Sequence, residues 1–371
     1  MEEFDTGPQT ASVKVEQSMT EQRKRIYTTQ EAAMARLGAS RRPLRFRARS
    51  ADEWREWRRS FRRAIMRELG PMPERVPLRP EILERADCGS YVREKVAFDS
   101  ERFASVPAWV LTPRPLARGG RRPAIMCLHG HGPGKDPMVG LGPNREPLDD
   151  YSHQLACRLA ERGYVTITPD WRGFGERSDD PVWVRPGRDP CNVTYFADGY
   201  FGYHRLALQI WDGMRTLDYL LSRPEVEGAR IGCIGCSFGG TMTTYLSALD
   251  RRIGAAVIAC YMSTLKDALA RANYCGAQYM PGLGKYADIP EVAMLIAPRP
   301  LMVQVGEKDD CFTVDDAAPA GRRVGRAYRV LRIEDRFSLD VFPGEHEIDA
   351  APAMAWFDRW LKADKPPPAR V

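Results

Sequence analysis

The sequence predicts an α/β fold: a mainly parallel central sheet with helices on both faces. Three observations carry this. Apolar strand-like runs alternate with helical segments from about residue 120 to the end of the chain. Several of these runs are continuously apolar, such as "AIMCLHG" and "IGAAVIAC", as strands covered on both faces must be. A glycine-rich junction, "GCSFGG", joins one strand abruptly to the next helix.

The elements follow in order. Residues 1–40 carry weak helical signals and read as an arm. Over 51–69, Trp54, Trp57, Phe61, Ile65 and Leu69 recur at three- and four-residue spacing, predicting an amphipathic helix that stops at Gly70. The proline-rich "PMPERVPLRP" closes an N-terminal helical extension, 1–80, ahead of the main domain, 81–371. "YVREKVAFDS" and "SVPAWVLTPRP" alternate and predict two antiparallel strands. The parallel part is then built from strands at "AIMCLHG", "YVTITPD", "ARIGCIG", "IGAAVIAC", "RPLMVQVG" and "FSLDVFPG". Helices are expected at 151–163, 203–223, 237–249, 314–331 and 351–362. Two Tyr-, Pro- and Gly-rich stretches, 176–203 and 261–290, break the rhythm and predict functional loops or lids.

Composition narrows the class. The 371 residues are 43% hydrophobic, enough for a sizeable core, and no apolar run is long enough to span a membrane. The N-terminus begins acidic and never becomes apolar, which argues against a signal peptide. Nine scattered cysteines, an odd count, then suggest reduced thiols in a cytoplasm. The net charge of +6 is concentrated in arginines around the Trp-rich helix, where a solvated helix face explains them better than nucleic acid does.

Residues 229–246, "ARIGCIGCSFGGTMTTYL", raise a choice between a Cys-x-x-Cys redox pair and a serine nucleophile. The serine reading accounts for more. Gly235-Cys236-Ser237-Phe238-Gly239 fits G-x-S-x-G in the strand-to-helix context that motif requires. Its glycines relieve a turn too sharp for side chains, and the serine is lifted to the positive end of the next helix. Cys233 then falls in an apolar strand and Cys236 fills a crowded elbow.

A serine hydroxyl needs a base, and the chain has five histidines. His346, in "DVFPGEHEID", follows the last strand and comes after the serine and the acid in chain order, which selects it over His129, His131, His153 and His204. The acid is expected at the end of the preceding strand, at Asp309 in preference to Asp310. The loop "LHGHGPGKD" is placed to supply an oxyanion donor, the N–H of His131, with the N–H of Phe238 as the second. His129 and His131 could alternatively ligate a metal, but no cysteine or carboxylate set is visible in sequence to complete a site.

On "HGHGPGKD", "DWRGFGERS", "GCSFGG", "IAPRPLMVQVGEKDD" and "GEHE", in that order, the chain resembles the α/β-hydrolase superfamily over about residues 90–363. The combination is similar to the dienelactone-hydrolase-like and acetyl-xylan-esterase-like serine esterases. That resemblance implies the α/β-hydrolase fold and cleavage of small or acetylated carboxylic esters through an acyl-enzyme, without a cofactor. It implies Ser237 as nucleophile, His346 as base, Asp309 as acid, and His131 with Phe238 as oxyanion donors. Dienelactone hydrolases proper carry cysteine where this chain has serine, which points to ordinary esters rather than lactones. Asp170, Arg172 and Gly173 are expected to brace the neighbouring loop. Pocket walls are expected from the insertions, at Trp183, Tyr195, Phe196, Tyr200, Phe201, Tyr274 and Tyr279.

Partners follow from the same reading: a small-molecule ester, with no nucleic acid and no membrane. The N-terminal extension could cover the site or build a homo-oligomer; an exposed Trp-rich face would favour dimers and a buried one would not. Peptide or amide hydrolysis, acyl transfer, and a non-catalytic scaffold on the same fold are the competing functions.

Overall fold

The computed structural model describes residues 25–178, 190–271 and 274–363. Helices α1 (Thr29–Ala39) and α2 (Ala51–Leu69) lead into strands β1 (Glu81–Asp87), β2 (Tyr91–Glu101), β3 (Ala104–Pro113) and β4 (Arg122–Leu128). Helix α3 (Leu155–Glu161) and β5 (Val165–Pro169) follow, then α4 (Pro190–Val193), α5 (Tyr195–Gly199) and α6 (Arg205–Ser222). Strand β6 (Val226–Cys236) runs straight into α7 (Phe238–Leu249), ahead of β7 (Ala255–Ala259), α8 (Leu265–Arg271), α9 (Leu283–Tyr286) and α10 (Ile289–Met294). The chain ends with β8 (Leu301–Gly306), α11 (Val314–Leu331), β9 (Phe337–Phe342) and α12 (Ala350–Leu361).

These strands form one nine-stranded sheet in the order β1-β2-β3-β5-β4-β6-β7-β8-β9. Pairing is antiparallel from β1 through β3 to β5 and parallel from β5 onward, so the parallel strands point the same ends toward one edge of the molecule. Strands β4 to β8 are almost wholly buried, because helices cover both faces. Strand β1 was not anticipated. Its "EILERAD" is charged and largely exposed along a sheet edge, so it carries neither an apolar run nor a clean alternation.

Helix α2 begins where Ser50 caps it, its side chain accepting from the Glu53 N–H, and ends at Gly70 with φ 76°. Its Trp54, Trp57, Phe61, Ile65 and Leu69 face is buried in the same core as the central strands. Of the arginines around it, Arg55, Arg59, Arg63 and Arg67 are exposed, while half-buried Arg58 and Arg62 donate to the Leu295 and Leu249 carbonyls, and Phe46 closes edge-on against Trp57 at 4.8 Å. Helix α1 is docked rather than trailing: Gln30 donates to the Ala270 carbonyl at 2.9 Å and Ser40 to the Gly284 carbonyl at 2.7 Å. Among the described residues no helix is long and apolar enough to cross a membrane.

Candidate active site

The site is built where β6 meets α7. Ser237 occupies the junction with φ 59° and ψ −121°, a left-handed conformation that a side chain adopts only under strain. The turn is locked by the Ser237 N–H donating to the Ala259 carbonyl at 3.1 Å and the Thr241 N–H to the Ser237 carbonyl at 3.0 Å. Close approach explains the flanking glycines. A Cβ on Gly239 would lie 2.0 Å from the Leu128 carbonyl oxygen, and one on Gly235 would lie 2.5 Å from the Gly239 backbone. Cys233 and Cys236 are both buried in the core, and burial pushes the Cys233 thiol up to about 12. They belong to separate core clusters and do not pair with each other.

The loop after β9 carries His346. Its Nδ1 lies 2.9 Å from Asp309 Oδ2, and Asp309 follows β8 by three residues. The other oxygen, Oδ1, accepts from the N–H groups of Cys311 at 2.8 Å and Phe312 at 2.9 Å. With the carboxylate on Nδ1, the histidine is held with its Nε2 available for proton exchange. Burial works to raise the Asp309 pKa, but the hydrogen bond and charge of His346 and the Phe312 N–H outweigh it and hold the carboxyl below its usual range. Asp310 is exposed.

Several contacts fix this loop. The Lys308 N–H donates to the Gly344 carbonyl at 2.9 Å, the Ile348 N–H to the Tyr151 carbonyl at 3.0 Å, and the Cys260 thiol to the Glu347 carbonyl at 3.2 Å. Gly306 allows the crossing, since a Cβ there would lie 2.1 Å from the Glu345 carbonyl oxygen. The Phe312 ring lies nearly parallel to His346, with centroids 5.8 Å apart.

Ser237 and His346 line one cavity of about 420 Å³, together with Gly130, His131, Tyr151, Gln278 and others. The loop after β4 forms its opposite wall, close enough that a Cβ on Gly130 would come within 3.3 Å of Ser237 Cβ. The Gly130 N–H already donates to Tyr151 Oη at 2.6 Å, and the following residue, His131, also lines the cavity. Phe238 is buried behind it, its ring 5.4 Å from that of His131, and its N–H heads α7, where no intrahelical acceptor exists.

The β4 loop is anchored below by charge. Asp170 is fully buried, accepting from the Lys135 N–H at 2.7 Å, from Lys135 Nζ at 2.9 Å and from the Glu176 N–H at 3.0 Å. Arg172 in turn binds Asp212 at 2.8 Å and Glu101 at 2.6 Å, tying the loop after β5 to α6 and β2. His129 is equally buried. It accepts from the Trp171 N–H on Nε2, so its proton is on Nδ1, donated to the Gly130 carbonyl at 2.7 Å. Burial lowers its pKa, leaving a neutral structural imidazole. His153 pairs with Glu347 at 2.9 Å, and His204 precedes α6 as its cap residue.

Of the expected wall aromatics, Tyr274 lines the catalytic cavity. Tyr274, Tyr195 and Tyr279 line a second, larger cavity of about 890 Å³ alongside it, roofed by α1. Phe196, Tyr200 and Phe201 face solvent and line neither, Phe196 stacking on Tyr195 from outside. Trp183 lies outside the described residues. Tyr151, Asn192, Gln278 and Phe312 were not anticipated in the cavity wall. Tyr151, Gln278 and Phe312 sit in irregular segments and Asn192 in the four-residue α4, all too short or irregular for periodicity to report which side chains turn inward.

His131 does have cysteines beside it: Cys275 Sγ is 3.1 Å from His131 Nε2, and Cys191 joins them. The two cysteines come from separate insertions, 84 residues apart, so spacing along the chain could not reveal them. Hydrogen bonding from Cys191 is the main cause that brings the Cys275 thiol down to about 5, against its burial and with further help from His131.

Comparison with known proteins agrees with this architecture. A profile described as "Abhydrolase family" matches residues 14–320. The Bacillus subtilis (strain 168) protein named "Putative hydrolase YtaP" is 28% identical over 320 residues, covering 81% of this chain and 98% of that protein. A solved structure described as "putative acetyl xylan esterase" from Bacteroides fragilis NCTC 9343 matches with a TM-score of 0.71 at 20% identity, over 87% of this chain and 84% of that one. A glucuronoyl esterase from Solibacter usitatus matches with a TM-score of 0.59 at 17% identity, over 83% and 93%. At these identities the structural likeness speaks to the fold.

Proposed function

Since the chain belongs to the Abhydrolase family and has the α/β-hydrolase fold, we propose that it is a serine carboxylesterase acting on small or acetylated carboxylic esters. One observation carries this reading: Ser237 and His346 share a single cavity while His346 is oriented by a buried Asp309. Ser237 Oγ attacks the ester carbonyl as His346 accepts its proton, and Asp309 stabilises the imidazolium. The N–H groups of His131 and Phe238 hold the developing oxyanion. His346 then protonates the departing alcohol, and a water activated by the same histidine releases the acid. Similarly folded proteins named as acetyl xylan and glucuronoyl esterases are in keeping with an ester substrate.

The test is hydrolysis of p-nitrophenyl esters of increasing acyl length by wild type and by Ser237→Ala. Turnover that is highest for short acyl chains and absent in the variant is expected. Undiminished turnover in the variant, or none in either protein, would overturn the reading, and anilides and acyl acceptors tested in parallel would then separate amidase from acyltransferase activity.

A further inference from the structure

The cluster formed by His131, Cys191 and Cys275 has no role in the proposed ester chemistry, which uses only the backbone N–H of His131. Its three donor atoms all lie within 4.8 Å of one another, and His131 Nε2 is 3.1 Å from Cys275 Sγ. We propose that these three side chains form a binding site for a thiophilic divalent cation of the zinc class, on the wall of the catalytic cavity.

The donor set chooses the ion. Two sulfurs and one imidazole nitrogen suit zinc or its analogues and disfavour magnesium and calcium, which take oxygen. A tetrahedral zinc has Zn–S bonds of about 2.3 Å and Zn–N bonds of about 2.0 Å, which set the N to S separation at about 3.5 Å. His131 and Cys275 need to part by only a few tenths of an ångström to accept it. Two thiolates and a neutral imidazole balance the ionic charge.

The surroundings hold the donors in place, as a metal site requires. The exposed His131 ring packs on the Phe174–Phe238 pair, with each centroid 5.4 Å away. The Gly276 N–H donates to Asn192 Oδ1 at 2.8 Å, which clasps the segment bearing Cys275 to the one bearing Cys191. Gln278 donates to Thr241 Oγ1 at 2.9 Å, tying the same loop to α7 behind the serine. Both cysteines are buried. A disulfide between them would account for two of the three donors but leave the approach of His131 Nε2 unexplained. His131 and Cys275 also line the cavity that holds Ser237, so the fourth coordination position opens toward it.

The test is titration of the reduced full-length protein with Co²⁺ as a spectroscopic stand-in, followed by displacement with Zn²⁺. One equivalent should give a tetrahedral visible spectrum and a near-ultraviolet thiolate charge-transfer band, both erased by Zn²⁺. Cys191→Ser and Cys275→Ser should each lower affinity at least tenfold and weaken the charge-transfer band, with unchanged circular dichroism showing that they fold. No charge-transfer band in wild type overturns the proposal. So does a band that persists in both variants, which would put the ion elsewhere, such as at Cys260, Asp309 and His346. A Cys191–Cys275 disulfide in protein isolated without reductant, with no cobalt band after reduction, would also overturn it and make the pair a redox element. None of these readouts depends on ester turnover.

Discussion

His346 Nδ1 stands 2.9 Å from Asp309 Oδ2, and two backbone N–H groups from the turn that follows grip the other oxygen of the same carboxylate. Asp309 is therefore fixed from both sides, whereas the adjacent Asp310 lies exposed. Replacing Asp309 with Asn keeps the shape but donates to Nδ1, favouring the wrong tautomer. Asp309→Asn should lower kcat roughly 1,000- to 10,000-fold with little change in KM, while Asp310→Asn stays within about twofold. Steady-state kinetics on a p-nitrophenyl ester decides it; equal losses in both variants would remove Asp309 from the proposed role.

The same carboxylate predicts a pH dependence of stability. Its folded pKa is held below that of the unfolded chain, so the folded form binds fewer protons in that window and stability rises with pH. The contribution is complete above the unfolded value, about 3.9, and is lost as pH falls through the folded one. Asp309→Asn should therefore show a shallower fall in stability on acidification. Urea unfolding from roughly pH 2 to 5 measures it, and identical slopes would contradict the linkage.

At the elbow, backbone strain and steric closeness predict opposite outcomes for two neighbouring substitutions. Ser237→Gly removes the side chain from a left-handed backbone and should abolish turnover while raising stability by about 1 kcal/mol. Gly239→Ala puts a Cβ against the Leu128 carbonyl and should cost about 2–3 kcal/mol, with loss of activity. Thermal denaturation of the two variants separates them, and a stable, active Gly239→Ala would refute the steric argument.

Asp170 supports the His131 loop from below, through both the backbone and side chain of Lys135. Asp170→Asn leaves the buried ammonium only partly compensated by Glu176 and Asp136 and should destabilise the protein by about 3 kcal/mol. If the loop shifts as well, kcat falls more than KM rises. A variant with wild-type stability would show that Glu176 and Asp136 suffice to neutralise Lys135.

The order of strands and helices was legible because burial writes itself into sequence. Strands covered on both faces must be continuously apolar, and α2, lying on a core, must repeat its aromatic residues at helical spacing. The elbow was legible for a related reason: only glycines fit where backbone meets backbone, as at Gly239 against Leu128. Strand β1 escaped because an exposed edge needs neither pattern.

The sequence by itself therefore determined the α/β frame and the order serine, acid, histidine along it. Tertiary structure decided which acid faces His346, since Asp309 is buried against it while Asp310 lies exposed. It also decided that α2 turns its tryptophans into the chain's own core, that Tyr274 lines the catalytic cavity while Phe196 and Tyr200 face solvent, and that two cysteines from distant insertions meet at His131. For α2, periodicity marks the apolar face but not what covers it; for the other three the physical reason is shared. Local periodicity reports burial against a regular element, but contacts between irregular loops depend on how those loops cross, which no spacing along the chain encodes.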